Sequence, residues 1–501
     1  MNSPASPQSA SSTSRPLPFL IDGEAVQGSG PAFASINPAT GDTNYYVSSA
    51  GPDDIERAVA SAHKAASDSK WRDMRPHERA RILHEIANGI VKKAEHFAKI
   101  QMRENGKVFA ECRTQAASAA ATFRYYAGVC ETLGSSITPP RGNYLSMTIH
   151  EPVGVVTAIT PWNSPLTMEA QKIAPALAAG NAVIVKPSEV TPTAAIDVAR
   201  IAIEAGLPAG VLNVVAGYGR DPGVPLISHP KVRMVSFTGG TETGRAIGRL
   251  AAERLIPAAL ELGGKSPNIV FADADLDAAV DGIIGGIFEG SGQSCVAGSR
   301  LFIQRAVYDD VIARLRAKVR QIKVGLPDQP GSTMGPLASY AHRDKVEGLV
   351  ASARTEGGEI LEGGKRPDDE VLAKGAFYLP TLIAGLPNSA TACREEIFGP
   401  VLCILPFEDE DDLVEQANAT AYGLACGIWT ADYRRAWRLA RRIDAGTVWI
   451  NTYKQSSISS PFGGFKDSGI GREKGVDGLR LYGQVKSMYF GLHAQPFSIS
   501  R

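Results

Sequence analysis

The 501-residue chain is poor in cysteine, lacks long apolar runs and carries no net charge. Its six cysteines include no C-x-x-C pair, which argues against a disulfide framework and against a zinc site, so we predict no bound metal. No apolar stretch approaches the ~20 residues that a membrane helix needs. Basic and acidic residues are equal at 52 each, so no charged surface indicates nucleic acid or a membrane as a partner. This composition predicts a cytoplasmic protein.

Hydrophobic residues make up 44% of the chain and charged residues 21%, values typical of globular proteins. The length predicts two or three domains rather than one core. Residues 1–15 are rich in serine, proline and alanine and are predicted to form a disordered tail. Their single arginine and lack of acidic residues leave a transit peptide open as an alternative. No apolar segment of the secretory kind follows them.

Apolar residues recur at helical spacing from about Ile55 to Val129, and a β-α-β alternation begins after that region. The helices predicted in this first unit are Met168–Ala179, Thr193–Ala205 and Thr243–Arg254. The strands predicted between them are Val153–Thr160, Ala182–Val185, Val211–Val215, Val232–Phe237 and Pro257–Glu261. Strands this continuously apolar indicate a parallel sheet covered on both faces, which binds ligands at the carboxyl ends of its strands.

A second α/β unit follows the first. Its predicted strands are Asn268–Phe271, Leu301–Gln304, Val401–Pro406, Gly427–Trp429 and Thr447–Ile450. Its predicted helices are Asp309–Val324, His342–Glu356, Asp411–Ala419 and Tyr433–Ile443. Two further segments, Tyr144–His150 and Gln484–Phe490, have the pattern of exposed strands, and a partner subunit is expected to cover such edges.

Two turns could bind a dinucleotide. Lys186, Ser188 and Glu189 follow the second strand of the first unit, where an acid can accept hydrogen bonds from ribose hydroxyls and repel a 2′-phosphate. The Gly-rich turn from Thr238 to Gly244 precedes a helix whose backbone N–H groups can hold a phosphate. Each turn has a simpler interpretation, a solvated turn for the first and glycines for close packing in the second. The second turn does not fit G-x-G-x-x-G.

Cys295 differs from most of the other cysteines, because it lies in a polar, Gly-rich loop where backbone amides could stabilise a thiolate. A cysteine hydrolase would need a histidine partner, and none of the eight histidines lies in a comparable loop. Glu261, which ends an apolar strand before two glycines, is the better candidate base, with a strand-end salt bridge as the alternative. Asn163 ends the first strand of the wound sheet and could donate to an oxyanion, cap a helix, or do both.

The chain resembles the NAD(P)-dependent aldehyde dehydrogenase superfamily, in its non-acylating bacterial form, from about residue 18 to 490. The resemblance rests on the order and spacing of TPWN, KPSE, FTGGTETG, ELGGKSP, GQSCVAG, EEIFGP and SPFGGFKDSG. It implies an α/β fold of two doubly wound domains with a small oligomerisation β-element. The implied dinucleotide-binding domain comprises residues 16–130 and 153–261, the oligomerisation element residues 131–152 and 483–501, and the catalytic domain residues 262–482.

The resemblance also assigns roles to residues. Cys295 becomes the nucleophile, Asn163 and the Cys295 N–H the oxyanion hole, Glu261 the base that activates water, and Lys172 a supporting residue. Lys186 and Glu189 hold the adenosine ribose, and Glu396 holds the nicotinamide ribose beside Phe398. The full set of expected cofactor-binding residues is Thr160, Trp162, Lys186, Ser188, Glu189, Gly239, Gly240, Gly244, Leu262, Glu396 and Phe398.

These roles imply that the enzyme oxidises an aldehyde to a carboxylic acid through a thiohemiacetal and a thioester on Cys295. The expected cofactor is NAD, with NADP as a weaker alternative. Glu261 argues for hydrolysis of the thioester, since relatives that transfer the acyl group to coenzyme A tend to lack this acid. A homodimer or homotetramer is expected.

The substrate pocket is expected to be polar. Small polar groups and Lys454 stand where bulky aromatic residues are common in the family, which favours a carboxylate-bearing semialdehyde. The expected pocket residues are Ser164, Met168, Ser294, Lys454, Ser456 and Phe462. A solvated loop at Lys454 is the alternative. The chain also resembles bacterial dehydrogenases that oxidise a hydroxybutyrolactone, a masked semialdehyde from N-heterocycle breakdown.

Two other functions are alternatives to a dehydrogenase. A cysteine-dependent esterase or acyl transferase would use Cys295 without NAD. A catalytically silent scaffold or lens-type protein is expected to have lost the nucleophile or the base, and this chain keeps both Cys295 and Glu261.

Overall fold

The computed structural model describes residues 15–492. Residues 1–14 of the predicted tail and residues 493–501 of the predicted oligomerisation element lie outside the described part. Between residues 15 and 492, no helix is long and apolar enough to cross a membrane.

The N-terminal part contains short strands followed by helices. Its elements are β1 (Phe19–Ile21), β2 (Glu24–Val26), β3 (Gly30–Ile36), β4 (Thr43–Ser49), α1 (Pro52–Ser67), α2 (Ser69–Arg72), α3 (Pro76–Lys92), α4 (Ala94–Asn105) and α5 (Phe109–Thr132). The helical region predicted between Ile55 and Val129 is therefore several helices. Proline begins α1 and α3, and Gly106, at φ 76°, ends α4.

The wound region follows the prediction closely. Its elements are β5 (Ser136–Thr138), β6 (Tyr144–Pro152), β7 (Val155–Ile159), α6 (Pro165–Ala178), β8 (Ala182–Lys186), α7 (Thr193–Glu204), β9 (Leu212–Val214), α8 (Arg220–Ser228), β10 (Val232–Thr238), α9 (Thr241–Glu253) and β11 (Ala258–Glu261). Sequence reasoning missed α8, because Pro222, Gly223 and Pro225 disfavour a helix.

The remaining elements form the second unit and the C-terminal strand. They are β12 (Pro267–Val270), α10 (Leu276–Phe288), β13 (Arg300–Gln304), α11 (Tyr308–Val319), α12 (Tyr340–Thr355), β14 (Glu359–Glu362), β15 (Thr381–Ala384), α13 (Thr391–Arg394), β16 (Val401–Phe407), α14 (Glu410–Asn418), β17 (Tyr422–Gly423), β18 (Ala425–Trp429), α15 (Tyr433–Arg442), β19 (Thr447–Ile450), β20 (Phe465–Lys466), β21 (Gly469–Ile470), α16 (Gly475–Arg480) and β22 (Gly483–Gly491).

Three differences from the sequence-based prediction stand out in the second unit. The prediction missed β15, and the helix predicted to reach Val324 ends at Val319. It also missed α10, whose glycines lower helix propensity. One of them has a packing reason, because a Cβ on Gly282 would lie 2.2 Å from the Trp429 ring.

Two large sheets organise the fold. The first has the order β2-β1-β9-β8-β7-β10-β11-β21, and its strands from β9 to β11 are parallel. The second has the order β14-β15-β16-β13-β12-β18-β19 and is parallel from β15 to β19. The predicted α/β class with parallel sheets is confirmed. In the first sheet the strand order reverses between β7 and β10, so the loops after these strands flank a crevice.

The two predicted exposed strands pair with each other. Strand β6 runs antiparallel to β22 from Tyr144 opposite Gly491 to Pro152 opposite Gly483, and β5 adds a third strand. Ile137, Val485 and Tyr489 are largely exposed on these strands. Strand β21, which falls inside the predicted catalytic segment, lies at the edge of the first sheet. The domain bounds and the oligomerisation role remain predictions.

Candidate active site

A cavity of about 660 Å³ receives side chains from both α/β units. The first unit contributes the loops after β7, β10 and β11, including Asn163, Gly239 and Glu261. The second unit contributes the Cys295 loop and the segment around Glu396. The crevice at the strand reversal therefore opens next to Cys295, the most exposed of the described cysteines.

Glycines determine where the Cys295 loop lies. A short turn from Glu289 to Gly292 has positive φ angles, and a Cβ on Gly292 would lie 2.1 Å from the Gly399 carbonyl oxygen. A Cβ on Gly264 would lie 2.3 Å from the carbonyl oxygen of Cys295. Only glycine at these two positions lets the loop pack closely against the strand ends.

Burial of Cys295 disfavours its thiolate. It raises the pKa of the thiol to about 12, and the carboxylates of Glu396 and Glu261 add to the effect, while Lys474 opposes it. Burial therefore works against the thiolate that backbone amides could stabilise, and the role of these amides stays a prediction. To act as a nucleophile, this thiol needs a base that takes its proton.

Glu261 ends β11 and is 5% exposed, and its Oε2 has no hydrogen-bond partner among the described residues. Burial raises its pKa well above the ordinary value, and the nearby Glu473 carboxylate raises it further, while Lys172 lowers it. The predicted alternative, a strand-end salt bridge, is not observed for Glu261 among residues 15–492. A buried carboxylate with a raised pKa and a free oxygen suits a general base.

Lys172 is fully buried and does not line the cavity. Its Nζ lies 2.6 Å from Glu473 Oε1 and 3.1 Å from Ser236 Oγ, and the Tyr482 hydroxyl also donates to Ser236 Oγ. Glu473 does line the cavity and interacts electrostatically with Glu261. Lys172 is thus connected to the cavity only by its ion pair with Glu473, a residue that sequence reasoning missed.

Asn163 lines the cavity together with Cys295. Its Nδ2 donates to the Gln293 carbonyl at 3.0 Å, which orients the amide toward the Cys295 loop. The helix-cap interpretation of Asn163 is wrong, because Ser164 occupies the N-cap position of α6 and no side chain caps the helix. The oxyanion role stays a prediction.

The residues of the first predicted cofactor turn, Lys186, Ser188 and Glu189, lie close to one another but do not line the cavity. Lys186 is 2% exposed at the end of β8, and its Nζ lies 3.4 Å from Glu189 Oε2. Thr160 donates its N–H to the Lys186 carbonyl, and the buried Thr160 hydroxyl has no partner in the described structure. Ser188 Oγ accepts from the Val190 N–H. Burial lowers the pKa of the Lys186 ammonium.

The glycines of the second turn are compatible with both interpretations of that turn, close helix packing and phosphate binding. A Cβ on Gly244 would lie 2.3 Å from Leu262 Cδ2, so this glycine allows close packing of helix α9. Gly240 is the N-cap of α9 with open space around its Cα, and both Gly239 and Gly240 line the cavity. The N–H groups at the start of this 13-residue helix can therefore approach a phosphate.

Glu396 also lines the cavity and lies against Gly263 and Gly264. Its Oε1 accepts from the Gly264 N–H at 3.0 Å, and burial raises its pKa. The rings of Phe398 and Trp162 are perpendicular with their centroids 5.3 Å apart, and the Phe398 carbonyl oxygen is hydrogen-bonded to His342 Nε2 at 2.7 Å. Buried hydroxyls without partners, an open helix N-terminus and two carboxylates thus form a cradle that fits a dinucleotide.

The predicted substrate-pocket residues all line the cavity. Lys454 Nζ donates to the Gly285 carbonyl at 3.1 Å and lies 3.8 Å from Glu289 Oε2, so its charge already has a neighbour. The other five are Ser164, Met168, Ser294, Ser456 and Phe462. Gln171 and Ser118, which sequence reasoning missed, add further polar side chains to the wall.

Three residues of the cavity wall have a strained backbone. Phe398, Lys454 and Lys474 line it and have φ angles of 57°, 56° and 60°, in the left-handed region that favours glycine. Such conformations are costly and persist where the surrounding structure enforces them, commonly at functional sites.

Sequence reasoning missed several cavity residues, including Glu473, Lys474, His342 and Glu289. For Glu473 and Lys474 the only signal was a run of three charged residues between Gly471 and Gly475, and nothing local showed that Glu473 is 3% exposed.

Comparisons with known proteins agree with this geometry. The family model described as the aldehyde dehydrogenase family matches residues 25–488. The chain belongs to this family. A (Z)-2-((N-methylformamido)methylene)-5-hydroxybutyrolactone dehydrogenase from Acinetobacter baylyi is 41% identical over 93% of this chain and 95% of its own length. Betaine aldehyde dehydrogenase from Bacillus subtilis is 41% identical over 94% of this chain and 96% of its own.

Solved aldehyde dehydrogenases share the fold. Betaine aldehyde dehydrogenase from Staphylococcus aureus, in complex with NAD+, has a TM-score of 0.94 at 38% identity, covering 96% of this chain and 95% of that one. The NAD+ complex of an aldehyde dehydrogenase from Bacillus cereus has a TM-score of 0.93 at 38% identity, covering 96% and 97%. The predicted family, fold class and enzyme class, an NAD(P)-dependent aldehyde dehydrogenase, are confirmed.

Proposed function

We propose that this aldehyde dehydrogenase oxidises a polar aldehyde to its carboxylic acid with NAD, using Cys295 as nucleophile and Glu261 as base. The observation that carries the proposal is that Cys295 and the partnerless carboxylate of Glu261 face one cavity. The carboxyl ends of β7 and β10 open into that same cavity.

The residues of the cavity suggest the following steps. Glu261 takes the Cys295 proton, and the thiolate adds to the aldehyde carbon while Asn163 Nδ2 and the Cys295 N–H donate to the developing oxyanion. NAD would supply the acceptor for the hydride that leaves this carbon. Glu261 first gives up the proton it took from Cys295, for which the neighbouring Glu473, held by Lys172, is the candidate route. Glu261 then takes a proton from water, which attacks the thioester carbon and expels the Cys295 thiolate.

The cofactor would lie along the first sheet. Lys186 and Glu189 would bind its adenosine ribose, the N-terminus of α9 its phosphates, and Glu396 its nicotinamide ribose. The predicted preference for NAD rests on Glu189, whose carboxylate can accept from a free 2′-hydroxyl and repels a 2′-phosphate. The adjacent Lys186 ammonium, 3.4 Å away, tempers this repulsion.

Replacing Glu189 by serine should therefore raise kcat/KM for NADP by about tenfold, and lower it for NAD, because a charged acceptor is lost. Steady-state kinetics with both cofactors at saturating aldehyde check this. Glu253→Gln, an exposed acid on α9, is the control. Equal kcat/KM for NAD and NADP in the unchanged enzyme would already contradict the assignment.

A panel of aldehydes, read by NADH absorbance with NAD and NADP in parallel, tests the proposed function directly. We expect turnover with NAD and a preference for polar over unsubstituted aldehydes. Ester hydrolysis without NAD and no NADH from any aldehyde would instead favour a cysteine esterase. In the described residues, no histidine is hydrogen-bonded to Cys295, so no observation favours that alternative.

For the substrate we propose a semialdehyde with a carboxylate or similar polar group, bound at Lys454. A charge-assisted contact contributes about 1.5–3 kcal/mol, so Lys454→Ala should lower kcat/KM by roughly ten- to a hundredfold for the charged substrate. The uncharged aldehyde of equal length should change little. Equal losses for both substrates would show that Lys454 only shapes the loop. If hexanal or benzaldehyde gives the highest kcat/KM of the panel, the pocket is not selective for polar groups.

We also propose that the protein forms a homodimer or homotetramer through the sheet of β5, β6 and β22. The support is the exposed apolar side chains on these strands, among them Ile137, Val485 and Tyr489. Burying such side chains against a second copy is favourable. A cytoplasmic location stays a prediction.

A further inference from the structure

A second cavity of about 220 Å³ adjoins the first, and its lining includes none of the expected cofactor-binding residues. The two cavities share the walls formed by Asn163, Ser164, Glu289, Ser294 and Lys454. An aldehyde whose carbonyl lies at Cys295 could therefore extend its far end past Ser164 into this side cavity. Helix α5 closes the other wall with Glu111, Thr114 and Gln115.

Two cations and two anions line the side cavity. Lys107 Nζ donates to Ser164 Oγ at 3.2 Å, and Lys454 Nζ lies 3.8 Å from Glu289 Oε2. Glu111 Oε1 accepts from the Gly290 N–H at 2.9 Å. The lining charges balance, but the Lys454–Glu289 pair is loose and Glu289 is 58% exposed. A ligand can therefore take a partner from this pair at little cost.

Two of these charges are poorly compensated within the protein. Burial raises the pKa of Glu111, and the neighbouring Glu289 raises it further, against the effects of Lys107, Lys454 and the Gly290 N–H. Burial lowers the pKa of Lys454, only partly opposed by Glu289. Each group would be stabilised by an opposite charge that a ligand brings.

Gln115 adds a polar side chain to the wall of the side cavity. It is 8% exposed, and its inaccessible Oε1 has no hydrogen-bond partner among the described residues. A buried acceptor without a donor is costly, so a change of side-chain orientation that gives this oxygen a donor would be favourable. Its position beside Glu111 on one helix suits a donor that also carries positive charge, such as an ammonium group.

We propose that the side cavity binds a zwitterionic head group, so that the substrate is an aldehyde with both an ammonium and a carboxylate at its far end. The ammonium would contact Glu111, and Gln115 Oε1 after the Gln115 side chain turns toward the cavity, and the carboxylate would contact Lys107 and Lys454. A carboxylate alone would leave Glu111 and Glu289 uncompensated, which is why the zwitterion is preferred. This inference rests on the proposed function and narrows its substrate class.

The carboxylic acid products test the head group without the cyclisation that free amino aldehydes undergo. A matched series is 2-aminoadipate, adipate, which lacks the ammonium, 5-aminopentanoate, which lacks the far carboxylate, and pentanoate, which lacks both. Their inhibition constants against pentanal oxidation with NAD, and their dissociation constants by calorimetry, are the measurements. Series built on glutamate and 2-aminopimelate cover shorter and longer chains.

At one chain length at least, the zwitterion should bind tenfold or more tightly than each compound with a single head charge, as about 1.5 kcal/mol per charge-assisted contact implies. Glu111→Gln should remove most of the advantage of 2-aminoadipate over adipate. Lys107→Met should remove most of its advantage over 5-aminopentanoate. Glu131→Gln on the same helix and Lys92→Met, both at exposed positions, are the matched controls.

The outcomes separate the two proposals. Failure to oxidise pentanal or any aldehyde of the panel contradicts the proposed function, while calorimetry still tests the head group. Normal oxidation with no zwitterion preference at any length overturns only the inference, as does tighter binding of the dicarboxylate. Equal losses for all compounds in Glu111→Gln and Lys107→Met would also overturn it. A melting temperature close to that of the unchanged protein excludes misfolding of either variant.

Discussion

Cys295→Ala is expected to lower dehydrogenase kcat by about 10⁴-fold or more, the scale of losses seen when a catalytic nucleophile is removed. The thiol forms the covalent bond on which the proposed steps depend, and a serine hydroxyl such as that of the adjacent Ser294 is a much weaker nucleophile. The change removes one sulfur atom from the cavity wall, so the dissociation constant of NAD should stay within about threefold. Stopped-flow absorbance and a fluorescence titration with NAD measure the two quantities.

The control for this variant is Cys426→Ala. Cys426 is fully buried in β18, so its replacement should lower stability while activity persists. Residual turnover of Cys295→Ala above about 1% of the unchanged enzyme would contradict a covalent mechanism. A large loss of NAD affinity would instead place the sulfur among the groups that position the cofactor.

The strands around the site could be predicted because each is short, apolar and bounded by glycine or polar residues. Strand β8 was predicted to within one residue, and β10 likewise, since period and turn chemistry agree there. The first two strands could not be found, because three residues are too few for a period. Strand β1 is fully buried only because it pairs with β9, about 190 residues later in the chain.

Sequence could identify single candidate residues that line the cavity where their loops carry a distinctive composition, as at Cys295 and Glu261. Their protonation states could not, because these depend on burial by distant parts of the chain. Glu473 raises the pKa of Glu261 from 212 positions away. The side-cavity charges are a second case, since Glu111 and Glu289 meet only through the packing of α5 against the Cys295 loop. Local sequence contains no information on such meetings.

Glu261→Gln is expected to slow the attack of Cys295 and to stop the enzyme mainly at thioester hydrolysis, because a thiol loses its proton to solvent far more readily than water does. Glutamine keeps the size and the dipole of the side chain but cannot accept a proton from water, so steady-state turnover should fall by about 10²–10⁴-fold. The acyl group should remain on Cys295, and intact mass spectrometry should show close to one acyl group per subunit. Hydroxylamine, which cleaves thioesters, should remove it. Glu253→Gln serves as the matched control at an exposed position.

The pH dependence distinguishes a base from a merely structural acid. Burial and Glu473 raise the pKa of Glu261, so in the unchanged enzyme the ionised form, and with it thioester hydrolysis, declines as pH falls through that raised pKa. The residual hydrolysis of Glu261→Gln should not follow this titration and should rise only with hydroxide. If the variant accumulates no acyl group and forms product slowly from the first turnover, Glu261 acts mainly in the attack of Cys295. In that case the thiol, whose pKa is about 12, depends on this carboxylate for its deprotonation, and another group activates the water.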